Sequence, residues 1–574
     1  MRKILQILLS LLFLFGIVLD VRAQLKDASG ELAGIIREVE EFKPVDKDKY
    51  PLGRYTEELY KEKAGFAAKE IKKLDALDAG QLSETERISL ELLKFTLRED
   101  VDDYRFEAYL NPILSDAGFH NNLTYRVRPL NNDKEVKKYL DLLRAVPRFV
   151  DDHIELLRKG LKKGISQPLV ILKGYEKTYD DHIVDNPEDS FYYSPFKNLP
   201  DRFSKEKKDS LAGVAKKVVA ESVTPQFKKI KRFFEEEYYS NTRTTLGVSE
   251  TPNGREYYSN RIRYYTTLSL TAEEVHQKGL KEVARIRAEM EQIIKEVDFD
   301  GSFNDFLTWL RTDEQFYVKT PEALLKEARN IAKKIDGQLP KFFKTLPRKP
   351  YGVAPVPDAI APKYTTGRYV GSSTDTEPGY YWVNTYQLES RPLYVLPSLT
   401  AHEAVPGHHL QISLNQELGD SIPKFRRNLY LSAYGEGWAL YTEYLAREMG
   451  IYTTPYEDFG RLTYEMWRAC RLVVDTGLHA KGWTREEAVD FLKKNTALSI
   501  HEINTEVDRY ISWPGQALSY KIGELKIREL RKEAEKALGD TFNIREFHEL
   551  ILEQGTVTLP ILEQRVKAYI KQKS

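Results

Sequence analysis

The segment His402-Glu403-Ala404-Val405-Pro406-Gly407-His408-His409 decides the reading of this chain. It packs three imidazoles and one carboxylate into eight residues, in a 574-residue sequence with ten histidines in all. Neutral imidazole is the commonest protein ligand for a metal ion. An adjacent carboxylate is a ready proton acceptor for a water activated by that ion. Ligands that share a face of an unbroken helix lie three or four residues apart. His402 and His408 instead differ by about 240° of rotation and about 9 Å of rise, and His409 lies about 10.5 Å along the axis. Pro406 has no N–H and disfavours helical geometry at Val405. Gly407 reaches backbone angles closed to other residues. A local break or bulge that returns one of the two later histidines to His402 is therefore expected. The alternative is a kinked core helix with satisfied histidines, which would bury Glu403 without a purpose.

A third ligand is expected downstream. Ala433-Tyr434-Gly435-Glu436-Gly437-Trp438-Ala439-Leu440-Tyr441 is apolar and aromatic, with one carboxylate inside it. An unpaired buried charge is very costly, so Glu436 needs a partner: a dication held by two histidines, or one of the nearby Arg426, Arg427 and Arg468. Two histidines, a glutamate and an open fourth position fit catalytic zinc. The histidine run reads as H-E-x-x-H stretched by two residues. One zinc per chain is expected, on His402, Glu436 and either His408 or His409. His408 is preferred, because a break at Pro406 absorbs a two-residue bulge more easily than two full turns can be spanned.

From Gly379 to Lys521 the chain resembles the bacterial domain-of-unknown-function family 885. The resemblance rests on Gly379-Tyr-Tyr-Trp-Val-Asn384, His402 to Gln411, Glu436-Gly-Trp-Ala-Leu-Tyr441, Arg471 to His479, Arg509-Tyr510 and Pro514 to Lys521. Weaker likeness extends upstream to about Thr271. That family is in turn similar to the mostly helical zinc peptidases of the thimet oligopeptidase and angiotensin-converting-enzyme type. The likeness implies a mainly α, two-lobed fold with a deep central cleft and a small β-sheet beside the zinc helix. It also implies His402, His408 and Glu436 as ligands and Glu403 as general base. In such peptidases a strand beside the zinc helix offers its edge to substrate, a mode that binds extended peptides with little sequence choice. Tyr380 to Thr385 is the clearest strand, and Asn384 a candidate for a substrate amide or a strand-end turn residue.

The rest of the sequence supplies the setting. Arg2 and Lys3, the apolar run Ile4 to Val18, and Val21-Arg22-Ala23 read as a secretory signal over residues 1–23. No cysteine lies near that site, so a lipid-anchored form is not expected, and the mature chain is assigned to a bacterial periplasm. Cys470 is the only cysteine, so no internal disulfide exists and stability must come from a large core. With 87 basic and 87 acidic residues there is no electrostatic case for nucleic acid or an anionic membrane. No linker divides residues 24–574, which read as one helical unit with an N-terminal lobe (about 24–260) and a metal-site lobe (about 261–574). Helical patterning dominates, as over Thr271 to Val297 with its Thr cap and acidic first turn. Pro347 to Pro378 is expected to form loops and a strand edge of the cleft.

The chemistry that follows is hydrolysis of short peptides, with Glu403 moving the proton and a donor stabilising the oxyanion. Tyr520, on a helix started by Pro514-Gly515, is the first candidate donor, followed by His479 and His501. Arg509 and Lys521 are candidates to hold a substrate carboxylate. His409 would contact substrate or Glu403, and Asp475 would orient a ligand histidine. Hydrolysis of a different amide or ester, and a non-catalytic helical binding protein, are the competing readings. Oligomeric state is not legible.

Overall fold

In the computed structural model, residues 28–574 are described apart from 359, 362, 363 and 373–375. The expected signal segment lies outside the described residues. Local capping chemistry starts many of the helices. At Ser83, Thr271, Thr454, Thr484 and Ser499 the side chain accepts from the third helical N–H, and the acid there reaches back to the cap. Each such box satisfies two orphan donors at once.

Numbering helices of eight residues or more, the chain begins with α1 (Ala28–Glu41), α2 (Glu57–Asp75), α3 (Glu84–Arg105) and α4 (Asp133–Lys163). There follow α5 (Lys205–Val218), α6 (Thr224–Arg232), α7 (Gly254–Thr266), α8 (Ala272–Glu296), α9 (Phe303–Thr312) and α10 (Pro321–Asp336). Three short strands come next: β1 (Tyr351–Pro355), β2 (Gly367–Val370) and β3 (Gly379–Val383). The remainder is helical again, with α11 (Leu396–Glu403), α12 (His408–Gln416), α13 (Ser432–Glu448), α14 (Pro455–Ala480) and α15 (Arg485–Asn495). The last four are α16 (Ile500–Ser512), α17 (Ser519–Leu538), α18 (Ile544–Leu552) and α19 (Leu559–Lys573). The protein is thus mainly α with one small sheet.

One cluster of buried apolar side chains runs from Leu52 to Val566. A smaller one joins α1, α2 and α3 through Leu32, Leu74, Leu90 and Leu93. Helix α14 is the axis of the larger core, with every residue from Phe459 to Met466 and from Arg468 to His479 buried. It lies along α8, while α13 lies along α17. The second pairing is close enough to need glycine on both sides. A Cβ at Gly437 would sit 2.5 Å from the Cα of Gly523, and one at Gly523 would sit 2.0 Å from the carbonyl oxygen of Ala433.

The sheet has the order β1-β3-β2, parallel between β1 and β3 and antiparallel between β2 and β3. This corrects one expectation. The aromatic strand β3 is central, so both of its edges are used, and the edge strands are β1 and β2. Both β1 and β2 lie within the Pro347 to Pro378 stretch.

Because the α13–α17 crossing has no room for a methyl group, Gly523→Ala should cost about 1–3 kcal/mol, seen as a lower Tm. Gly213→Ala, where nothing lies within 4 Å of the new Cβ, should be neutral or gain up to about 1 kcal/mol. Equal melting of Gly523→Ala and the unaltered protein would show that the two helices separate freely.

Candidate metal centre

The break expected within the histidine run is present. α11 ends at Glu403 and α12 starts at His408. Between them the Gly407 N–H donates to the carbonyl of Ala401 at 3.0 Å, and His409 N–H to that of Ala404 at 3.1 Å. The Trp438 indole N–H donates to the carbonyl of Pro406 at 2.8 Å. A Cβ at position 407 would lie 1.9 Å from the carbonyl oxygen of His402. Only glycine lets the chain pass so close, and that passage folds His408 back onto His402. The two rings end 4.9 Å apart with their planes at 84°.

Helix α13 brings the carboxylates. Oε2 of Glu436 lies 3.6 Å from Nε2 of His402 and 3.4 Å from Nε2 of His408. One donor atom from each of the three residues falls within 4.8 Å of the others. Ligands about 2.0–2.1 Å from a tetrahedral zinc are about 3.4 Å apart, so this donor set fits that ion. Two turns along α13, Glu443 bonds the far nitrogen of His402 at 2.7 Å and is itself held by Ser398 Oγ at 2.7 Å. A carboxylate behind a ligand imidazole fixes its ring orientation and raises its basicity. Thr442 Oγ1 donates to the Ala401 carbonyl at 3.0 Å and ties α13 to α11.

The electrostatics follow. Burial opposes charge on His402, but hydrogen bonds to Glu436 and Glu443 outweigh it and push the ring up to about 10. Burial likewise opposes charge on Glu436, but the two imidazoles hold its carboxyl well below the usual range. With no metal, a proton on His402 supplies positive charge beside this half-buried acid.

Glu403 is buried next to His402, and its Oε2 accepts the Tyr369 N–H of β2 at 2.7 Å. Tyr520, in the first turn of α17, has the Arg471 guanidinium 4.6 Å from its ring centre and that of Arg468 at 6.0 Å. It lies within electrostatic reach of Tyr430 and of Arg368, which also faces Glu403 and Glu436. The structure therefore gathers His402, His408, Glu436, Glu403 and Tyr520. The arginines offered as alternative partners of Glu436 engage other groups. Arg426 bonds Thr85, Ser89 and Gln554, Arg427 pairs with Asp420, and Arg468 approaches Glu443.

Other expected site residues have structural work instead. His409 bonds the Tyr369 hydroxyl and the Lys349 carbonyl, both at 3.1 Å, and burial pushes it down to about 4. It clamps the sheet to α12 rather than pointing at Glu403. His479 accepts from the Val248 N–H and donates to the Tyr510 carbonyl, and burial pushes it down to about 3, so both ring nitrogens are used. The amide of Asn384 is spent on the carbonyls of Ala361, Tyr364 and Thr365 and on the Tyr386 N–H. Lys521 is fully buried against Glu465, Glu524 and Glu282, tying α17 to α14 and α8. Arg509 pairs with Glu506 and donates to Gln516. His501 is exposed at the start of α16. Asp475 accepts from Tyr258 and from the Gly515 N–H and touches no ligand histidine; Glu443 does that job. Sequence reasoning also missed Ser398, Tyr430, Arg368 and the β2 N–H. The seven-residue spacing of Glu436 and Glu443 on an apolar helix was the one available signal.

The chain belongs to the family described as bacterial protein of unknown function (DUF885), whose model matches residues 42–566. It is similar to a solved structure of a candidate lipoprotein from Colwellia psychrerythraea, with 28% identity and a TM-score of 0.85 over 91% of this chain and 92% of that one. It also shares its fold with a candidate lipoprotein of unknown function from Shewanella oneidensis, at 19% identity and a TM-score of 0.63 over 88% and 92% of the two chains. No curated protein matches. No described helix is long and apolar enough to cross a membrane.

Burial pushes Asp475 up to about 7, against the hydrogen bonds from Tyr258 and Gly515. Its folded pKa exceeds its unfolded one, so the stability this group contributes is complete below about pH 4 and is lost as pH rises through 7. Asp475→Asn should lack that slope, so its stability relative to the unaltered protein should climb between pH 4 and 7 and then level off. Denaturant midpoints across that range measure it, and parallel curves would refute the assignment. Gly407→Ala should cost about 1–3 kcal/mol and pull His408 from His402. Unchanged melting together with full zinc uptake would show that the turn accepts a side chain.

Proposed function

We propose that this protein is a zinc-dependent peptidase that cleaves short peptides outside the cytoplasm, with one zinc per chain. His402, His408 and Glu436 would hold the ion. The observation that carries the reading is a carboxylate, Glu403, held by a strand N–H next to three converging ligand side chains. A purely structural zinc site is closed and needs no such base. Bound zinc would polarise the scissile carbonyl and lower the pKa of a water towards neutrality.

The chain's own groups supply the rest. The Tyr369 N–H keeps one oxygen of Glu403 engaged, which leaves the other to take a proton from water and pass it to the leaving nitrogen. Tyr520 would donate to the developing oxyanion, with the Arg471 guanidinium 4.6 Å from its ring centre. An edge of the small sheet would pair with an extended peptide backbone. The resemblance to helical zinc peptidases supports this arrangement, with lobes of about 24–260 and 261–574 flanking the cleft. Balanced charge and a leader-like start at Arg2 and Lys3 support export of a protein that acts on peptides rather than on nucleic acid.

The decisive experiment digests a peptide library with and without chelator and reads the products by mass spectrometry. Chelator-sensitive cleavage is expected. Glu403→Gln should keep its zinc and lose at least about 100-fold in turnover. His408→Ala and Glu436→Ala should lose zinc, while His409→Ala keeps it. Near-normal cleavage by Glu403→Gln would overturn the mechanism. A library left intact while a simple ester or non-peptide amide is hydrolysed would overturn the substrate class.

A further inference from the structure

The three converging side chains are backed unequally. The outer nitrogen of His402 bonds Glu443 at 2.7 Å. The outer oxygen of Glu436, Oε1, accepts from the Tyr430 hydroxyl at 2.9 Å. Nδ1 of His408 is buried and has no hydrogen-bond partner among the described residues. Tyr430 lies just before α13, outside every motif that the sequence offers. The residue is 45% exposed although its hydroxyl reaches inward to Glu436. The ring rests on Gly435, the residue before Glu436. A Cβ there would come within 2.5–2.9 Å of three Tyr430 ring and hydroxyl atoms.

We propose that Tyr430, seated on Gly435, is a positioning residue that restricts Glu436 to a one-oxygen grip on the metal. The inference rests on the metal-centre reading above. Oε2 is the oxygen that lies 3.6 and 3.4 Å from the two imidazoles. A carboxylate free at both oxygens can swing to bind an ion through either or both. An O–H bonded to Oε1 opposes that swing, and a hydrogen bond to a charged group is stronger than one between neutral groups. Holding Glu436 to one oxygen keeps a fourth position open, which is what separates a catalytic site from a closed one. Gly435 is glycine because the tyrosine ring occupies the space of its side chain.

The test measures zinc affinity by competition with a chelator, and the visible spectrum of the cobalt-substituted protein, for the unaltered chain and for variants. Tyr430→Phe should weaken zinc binding about 10–100-fold and dim the cobalt bands as the second oxygen of Glu436 joins the metal. The metal-free variant should still melt cooperatively. Gly435→Ala should weaken binding too, by displacing the ring. Adding Gly435→Ala to Tyr430→Ala should cost nothing more, because the ring it displaces is gone. Unchanged affinity and an unchanged spectrum in Tyr430→Phe would overturn the inference and leave the metal centre standing. Additive losses in the double variant would overturn the role given to Gly435. Failure of the unaltered protein to bind either metal would overturn the reading beneath both.

Discussion

A carboxylate removed from water must be neutralised, and the neutralisation of Glu436 organises this molecule. Its charge is met by two imidazoles that lie six residues apart in sequence and 4.9 Å apart in space. Bringing them together requires the chain to reverse between α11 and α12 with no room for a side chain at Gly407. It also requires α13 to be pressed into the core, and the gap-free crossing of Gly437 and Gly523 against α17 does that. A single half-buried acid thus sets the break in one helix and the close contact of two others.

The same logic is repeated with protein cations elsewhere. Lys521, Arg285 and Arg528 together meet Glu465, Glu524 and Glu282 in the interior, and Arg461 reaches Glu465 at 2.9 Å along α14. Such pairs add little net stability, because desolvation offsets their attraction, but breaking one leaves an unpaired charge and is strongly destabilising. They fix the register of α8, α14 and α17. Register matters because α17 carries Tyr520 in its first turn and α14 carries Arg468 and Arg471 beside it. The Glu436 cluster differs from these pairs in one respect. Its cationic partners are imidazoles, which can exchange protons for a metal ion, whereas lysine and arginine cannot.

Helix starts were legible in the sequence because their signals are local, as at Thr271, Thr454 and Thr484, where cap and acid lie three residues apart. The small strands β1 and β2 were not, since each is four or five residues long and contains glycine, and their pairing is decided by distant partners. The centre divides in the same way. His402, His408 and Glu436 were readable because three imidazoles cluster in eight residues and a lone carboxylate sits in an apolar segment that must find it a partner. Tyr430 and the Tyr369 N–H were invisible because nothing in sequence links them to the histidines. His479 and Lys521 misled for the opposite reason. A titratable residue near a motif looks functional, yet burial had already committed both ring nitrogens of one and the ammonium of the other to internal bonds.

The role proposed for Glu403 ties the sheet to the chemistry more tightly than sequence suggests. Glu403 is the last residue of α11, so its side chain leaves a helix terminus that the Pro406 break has already weakened. Freed from the strand, such a side chain would sample several rotamers, and a base is effective only within hydrogen-bond reach of its proton. The Tyr369 N–H removes that freedom, and His409 in turn holds the Tyr369 hydroxyl to α12. In the proposed centre the third histidine of the run would act without touching an ion: it anchors the strand whose N–H holds Glu403. Three adjacent-looking imidazoles do two different jobs, and the two-residue insertion is what separates them.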